Sequence, residues 1–285
     1  MKLRDDIETT ILLRNNSPLD DFLGLTLTEM DYLLYDTFSD NSPVRLRNDI
    51  DNATLDQLPL FRIAEEYLKI IQRDKQIKLT PLGALPKKVM VELYNKKFLP
   101  DELIENGIVK LWKEEDCISI MSARFAAELA GLVKKVNNKL TLTKNGTKLL
   151  QPENRLQLFK VFIQSFTDKF SWSYNDGYPE QPIGQLGWAF SIYMLNKYGD
   201  QPKLIDFYAD KYLKAFPNLI SFFGTDYSTP QRQFIHCYGV RTFDRFLLWF
   251  GFVTVEKQKV YLELDTAKFT RTNLIKQLFT FDFEL

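Results

Sequence analysis

The first group of candidate functional residues is a run of lysines near the middle of the chain. The stretch "KKVNNKLTLTKNGTK", from position 134 to 148, has no acidic residue, and its basic side chains are Lys134, Lys135, Lys139, Lys144 and Lys148. Ammonium groups at this density can neutralise the phosphates of a nucleic acid and release counterions. Lysines also keep an exposed strand from pairing with another chain. Phosphate contact is therefore one expectation for this run, and a solvated strand edge is the other.

The segment before this run limits what a nucleic-acid contact could read. Its sequence "SIMSARFAAELAGL" predicts a helix with Arg124 as its only basic residue, and Glu128 would repel phosphates. Asn and Gln, the side chains that pair with adenine, do not occur in it. We add Arg124 to the candidate phosphate ligands, and we expect any nucleic-acid contact to be independent of base sequence.

A second group of candidates is aromatic, because residues 155–252 hold 25 of the 40 aromatic side chains. Spacings of three and four residues predict a buried helical stripe made of Phe159, Phe162, Phe166 and Phe170. The loop "FSWSYNDGYPEQP" lacks that period. Its Trp172, Tyr174 and Tyr178 are candidates for a protein-binding edge, because Tyr and Trp bury area at a low entropic cost. A structural turn is the alternative interpretation.

The chain offers little for catalysis or metal binding. His236 and Cys237 are neighbours, and adjacent side chains diverge in a helix or strand, so we expect a packed histidine rather than a catalytic base. With Cys117 they are the only Cys and His residues, too few for a four-ligand zinc site. No phosphate-binding glycine loop or nucleophile elbow is present. We expect no enzyme activity, no metal and no cofactor.

The elements that must position the lysine run can be predicted residue by residue. Gly131 suits the left-handed conformation that ends a helix. Two strands should follow, joined by a two-residue turn at Asn137 and Asn138. Thr143 can then cap the next helix.

This pattern of helix end and hairpin recurs along the sequence. Residues 68–83 align without gaps on residues 131–146, and residues 251–264 resemble both. In the third stretch Glu263 replaces the threonine. Repeated segments should bury equivalent apolar positions, so we expect Leu79, Leu142 and Leu262 to be buried.

The stretch "AGLVKKVNNKLTLTKNGTKLL" is similar to the back half of the winged-helix domain of MarR- or ArsR-type bacterial regulators. The resemblance covers about twenty residues per copy and implies helix-turn-helix units with a basic wing beside a DNA duplex. The segments "SPLDDFLGLTLTEMDYLLY", "KLTPLGALPKK" and "FYADKYLKAFP" look like an uncharacterised bacterial family, which implies no chemistry.

These patterns predict an α+β fold that is mainly helical. We expect an acidic N-terminal segment in residues 1–60, two winged-helix-like units in residues 61–150, an aromatic-rich helical section in residues 151–242 and a third unit in residues 243–285. Within the first segment, Thr26 and Glu29 have the spacing of a capping box.

Charge is divided unevenly, with a net of −7 in residues 1–60 and +6 in residues 61–150. The acidic segment could therefore mask the basic one. Since neither an apolar leader nor a span of about 18 apolar residues is present, and cysteines are few, we expect a cytoplasmic protein without membrane contact. The predicted function is a non-enzymatic binding or scaffold protein that contacts a protein partner. The alternative is a DNA-binding regulator that contacts phosphates through the wing.

Overall fold

The computed structural model describes residues 10–225, 228–256 and 264–282. Its helices are α1 (Leu27–Tyr35), α2 (Asn52–Leu55), α3 (Pro59–Asp74), α4 (Lys87–Tyr94), α5 (Glu102–Glu105), α6 (Ile118–Leu129), α7 (Lys144–Leu149), α8 (Arg155–Asp168), α9 (Trp188–Tyr198), α10 (Ile205–Ala215), α11 (Pro230–Tyr238) and α12 (Leu274–Leu278). Residues 10–15 are also helical. The π-helix Gly239–Leu247 continues α11. Short 3-10 helices are Asp20–Phe22, Glu114–Asp116, Pro152–Asn154 and Pro217–Phe222.

The strands are short and form three small antiparallel sheets. They are β1 (Val44–Leu46), β2 (Ile77–Lys78), β3 (Val133–Val136), β4 (Lys139–Leu142), β5 (Lys203–Leu204), β6 (Val253–Glu256), β7 (Lys268–Arg271) and β8 (Phe279–Phe281). The α+β, mainly helical class predicted from the sequence is confirmed.

The first of two similar units extends from α3 to β4. Pro59 occupies the first turn of α3, where its missing N–H and fixed φ are tolerated. After α4, α5 and α6, the hairpin of β3 and β4 joins β2 in the sheet order β2-β4-β3. Ile77 pairs with Leu140, and Val133 pairs with Leu142. These four apolar side chains belong to the core or pack against it.

The second unit repeats this order from α9 to β7. A helix (α9) is followed by a short strand (β5), further helices (α10, α11 and the π-helix) and a hairpin (β6 and β7), and the sheet order is β5-β7-β6. In each unit the first strand therefore pairs with the last, and the last pairs with the middle one.

The helix before each hairpin ends in the same way. Gly131 and Gly251 have φ values of 70° and 72°, a conformation that costs glycine little. In both units the amide after this glycine donates to the carbonyl five residues earlier, from Leu132 to Ala127 and from Phe252 to Leu247.

In each unit, a threonine after the second strand of the hairpin forms a hydrogen bond to that glycine. The hydroxyl of Thr143 donates to Gly131 O at 2.7 Å, and that of Thr272 donates to Gly251 O at 2.8 Å. Sequence alignment puts Glu263 at the threonine position, but the structural equivalent is Thr272. The connection between the strands is longer in the second unit, and the predicted strand at Val260 and Leu262 lies outside the described residues.

The expectation of a hairpin in residues 68–83 is wrong. There α3 continues to Asp74, and the following strand is only Ile77–Lys78. This strand pairs with β4, so the two aligned stretches are neighbours in one sheet, and residues 61–150 contain one unit of this kind instead of two. Leu79 is buried as predicted, and Leu142 is half-buried.

The N-terminal segment packs against the second unit. The capping box of Thr26 and Glu29 is present at the start of α1. α1 lies against α9, residues 20–22 lie against α10, and β1 pairs with β8. The described part of this segment therefore does not mask the lysines of the first sheet, several of which are exposed.

A continuous apolar core joins the two units. The predicted phenylalanines are all buried, but only Phe159, Phe162 and Phe166 lie on α8, because the helix ends before Phe170. Aromatic rings from the two units meet on this helix. For example, the Phe166 ring centroid lies 5.3 Å from that of Phe250. Such contacts contribute stability beyond the area they bury.

Candidate functional site

One face of the first sheet carries lysines. Pairing across the three strands sets Lys78, Lys139 and Val136 in one row, and Lys134 opposite Thr141. We call these five side chains the lysine face. Lys78 and Lys134 are exposed, Lys139 is half-buried, and Val136 is 55% exposed.

Nothing in the described part of the chain neutralises these three lysines. The lysine ion pairs found there involve Lys69, Lys96, Lys97 and Lys113. Lys78 and Lys139 are direct cross-strand partners, an arrangement in which like charges destabilise a sheet. The face is therefore an unbalanced positive surface.

The other lysines predicted to bind phosphate do not belong to this face. Lys135 is exposed, but strand alternation places it on the opposite side of the sheet, where it pairs with Leu140, and its ammonium lies 3.2 Å from where a Cβ on Gly83 would stand. Lys144 and Lys148 are exposed on α7. The five lysines of residues 134–148 therefore lie on separate surfaces. Lys78 is not part of that run, and only strand pairing brings it beside Lys139.

The inclusion of Arg124 among the phosphate ligands is wrong, because this side chain is internal. It is 5% exposed, and its Nε lies 2.7 Å from Glu114 Oε1. Its Nη1 lies 3.3 Å from Glu128 Oε1 and donates to Gly83 O. Burial raises the pKa of both carboxyls, and the nearby guanidinium opposes that increase.

The whole of α6 is covered in the same way. Only Leu129 is exposed along this helix, while Ser119 to Arg124 are buried. A helix that enters a DNA groove must present polar side chains to the base edges. α6 presents none, so a nucleic-acid contact of the first unit would have to use other surfaces.

The connection between α4 and α6 exposes large apolar side chains. Leu103 is 44% exposed, Ile108 69% and Trp112 63%, and we call these three residues the apolar loop. Lys87 places its ammonium 4.0 Å from the Trp112 ring centroid. The backbone N–H of Trp112 donates to Asp116 at 2.9 Å, which anchors the backbone at this residue. This surface was not predicted from the sequence. The available signal was a set of apolar residues that lie among charged ones and follow neither a helical nor a strand period.

The aromatic loop after α8 is largely internal, which corrects the prediction for Trp172. That side chain is 3% exposed and donates its Nε1–H to Phe166 O at 2.9 Å. Tyr178 is half-buried, and burial raises the pKa of its hydroxyl. Tyr174 is 45% exposed, with its ring edge-on to Phe125 at 5.3 Å. Of the three predicted residues, only Tyr174 presents a substantial surface.

Two arginines of the π-helix hold this loop. The side chains of Arg241 and Asp176 are fully buried and lie 2.5 Å apart. Arg241 also donates to Pro179 O and Gln181 O. Arg245 donates to the carbonyls of residues 174 and 175. Local sequence patterns could not predict this clamp, because Arg241 and Asp176 are 65 residues apart.

His236 is half-buried, with Nε2 2.7 Å from Asp265 Oδ1. Cys237 points into the core, and burial raises the pKa of its thiol to about 12. Both cysteines are free. Over the described ranges, no cluster of three or more His, Cys, Asp or Glu side chains is placed to hold a metal ion. Nor does any helix there combine the length and apolar character needed to cross a bilayer.

Comparison with known proteins gives one partial match. Residues 56–155 are similar to the family model described as the Y4jL N-terminal domain, a segment that covers the first unit and the start of α8. No curated protein and no solved structure matches the chain.

Proposed function

We propose that this protein is a non-enzymatic binding or scaffold protein whose two units are winged-helix-like modules used mainly for protein contacts. The order of helix, strand, helices and hairpin, with the first strand beside the last, supports the winged-helix interpretation. The observation that carries the protein-binding proposal is the exposed Trp112 in the apolar loop. Tryptophan is enriched among the residues that dominate binding energy at protein interfaces.

The surroundings of this residue support the same proposal. Ile108 adds a second large apolar surface in the same connection, and exposed apolar patches mark sites of association. Tyr94 and Lys97 hold Glu105 at the end of α5. The loop therefore presents its apolar residues from a fixed base.

The proposal predicts that one protein partner depends on the apolar loop. Tagged wild type and the double variant Ile108→Ser/Trp112→Ser are cross-linked in the cell of origin, treated with nuclease and compared by mass spectrometry. A partner should be recovered with wild type and lost with the variant. Its affinity, measured with purified proteins, should fall about tenfold or more.

The matched control replaces exposed aromatics elsewhere, Tyr35→Ser/Phe222→Ser, and should retain the partner. Equal recovery of every partner by both double variants would exclude the apolar loop. Loss of all partners after nuclease treatment would instead support the alternative, a DNA-binding regulator. The exposed lysines of the hairpin and α7 favour that alternative, whereas the buried α6 restricts it to contacts without base specificity.

We also propose a cytoplasmic location. Two free cysteines, both buried, fit a reducing compartment.

A further inference from the structure

The two units carry different charges on equivalent sheet faces. In the second unit, Leu204, Lys268 and Glu256 form the row that corresponds to Lys78, Lys139 and Val136. There a single lysine stands opposite a glutamate. The other two outward positions are Thr254 and Thr270, which are also direct partners. The second face is therefore balanced, so this sheet geometry does not require the lysines of the first.

Edge protection does not account for the lysine face. Lysines on edge strands keep a sheet from pairing with another chain, and Lys134 on β3 and Lys78 on β2 can serve that purpose. Lys139, however, lies on β4, the central strand of the sheet. It is the direct cross-strand partner of Lys78, and like charges at such positions repel each other. A negatively charged partner would relieve this repulsion.

The size of the face and its apolar member indicate what the partner is. Strands lie about 4.8 Å apart, so three of them span about 10 Å, the width of one peptide segment. Val136 occupies the end of the lysine row and is 55% exposed. A phosphate backbone would satisfy the lysines but offers no large apolar side chain to cover this valine, and the buried α6 cannot add contacts in a groove.

We propose that the lysine face binds an acidic protein segment that also carries apolar side chains. This rests on the proposed function, that the first unit contacts other proteins, and adds a second surface to it with a defined partner chemistry. The carboxylates of the segment would pair with Lys78, Lys134 and Lys139, and one apolar side chain would cover Val136.

The test uses the full chain and three fluorescein-labelled probes measured by anisotropy. The probes are a peptide in which glutamate alternates with leucine, an all-glutamate peptide of the same length, and a duplex DNA of random sequence. The alternating peptide should bind most tightly. Reversal of the three lysines, Lys78→Glu/Lys134→Glu/Lys139→Glu, should weaken its binding by about tenfold or more, because three attractive ion pairs are replaced by repulsion.

Two further variants make the outcome specific. Val136→Ser should weaken the alternating peptide several-fold and leave the all-glutamate peptide unchanged. The charge-matched variant Lys169→Glu/Lys214→Glu/Lys276→Glu alters exposed lysines outside the first unit, and should bind all probes like wild type. Lys→Gln at the three sites of the lysine face removes the charge without reversing it and should give an intermediate loss, which guards against a folding defect in the Glu variant.

Tighter binding of the duplex than of either peptide, unaffected by Val136→Ser, would overturn the proposal in favour of nucleic acid. Absence of binding to any probe would also overturn it. Neither result bears on the apolar loop, because the Ile108/Trp112 experiment uses different variants and a different readout.

Discussion

At the scale of single residues, Arg241 is the clearest case of a side chain that the fold depends on. Its guanidinium is fully buried, pairs with both oxygens of Asp176 and donates to two backbone carbonyls. A buried charge is tolerated only when such partners satisfy it. Removing the arginine would leave Asp176 unpaired in the interior and release the loop.

We therefore expect Arg241→Met to lower the free energy of unfolding by about 3–5 kcal/mol. Urea unfolding followed by tryptophan fluorescence measures this. The double variant Arg241→Met/Asp176→Asn should recover part of the loss, because no unpaired charge remains. Arg232→Met, which breaks an exposed ion pair with Asp265, should cost less than about 1 kcal/mol. Similar losses at the two arginines would contradict the clamp.

At the scale of elements, the contact between α7 and the hairpin depends on a glycine. A Cβ at position 146 would stand 2.1 Å from the carbonyl oxygen of Leu132, far inside van der Waals distance. The first turn of α7 lies this close because Thr143 caps the helix and also bonds back to residue 131.

Gly146→Ala should force α7 and β3 apart and lower the free energy of unfolding by about 1–3 kcal/mol, the usual cost of overpacking. Asn145→Ala, an exposed neighbour on the same helix, should change it by less than about 0.5 kcal/mol. Urea denaturation of both variants provides the comparison. A Gly146→Ala protein as stable as wild type would show that the contact can relax.

Which elements could be predicted from the sequence depends on how local their causes are. The capping box at Thr26 and the helix end at Gly131 are set by residues within one turn, and both predictions are confirmed. The leucine and threonine pattern of residues 77–83 does mark a strand. What precedes it, however, is a helix whose length follows from packing on α6, and the alignment could not reveal that.

The candidate surfaces were harder to predict for the same reason. The wing lysines are visible in the sequence, but strand pairing alone decides that Lys78 joins Lys139 while Lys135 lies on the opposite side of the sheet. Arg124 looked exposed because its acidic partner Glu114 comes from a separate 3-10 helix. Exposure of Trp112 depends on the course of a loop, which no periodicity encodes.

At the scale of the whole molecule, the segments outside the two units are joined to the rest of the chain by more than the aromatic core. β1 pairs with β8, which links the N-terminal segment to the end of the described chain. Arg155 on α8 bonds to Glu65 of α3 and to Asp56. These links favour cooperative unfolding of the chain, so a single buried group should influence the stability of the entire protein.

Asp244 on the π-helix is such a group. Burial raises the pKa of its carboxyl from 3.8 to about 6, although Arg245 acts in the opposite direction. A raised folded-state pKa means that the folded protein holds this proton more tightly than the unfolded chain does. The stability it contributes is therefore complete below about pH 4 and is lost as the pH rises through 6. The pKa of Glu92 is instead lowered by its hydrogen bond to Arg73. Such a carboxyl adds stability as the pH rises, and it does so at lower pH.

We expect the free energy of unfolding to fall by about 1 kcal/mol between pH 5 and pH 7.5. Each pKa unit is worth about 1.4 kcal/mol, only the unit from pH 5 to pH 6 lies in this range, and Asp244 is in partial contact with water. Asp244→Asn removes the titrating carboxyl, so its stability should vary less over this range and exceed that of wild type at the upper end. Glu92→Gln should retain the wild-type slope, because its carboxyl titrates below this range. The measurement is urea unfolding of the three proteins at both pH values. If the stability of Asp244→Asn changed with pH as much as that of wild type, another group would be responsible for the pH dependence.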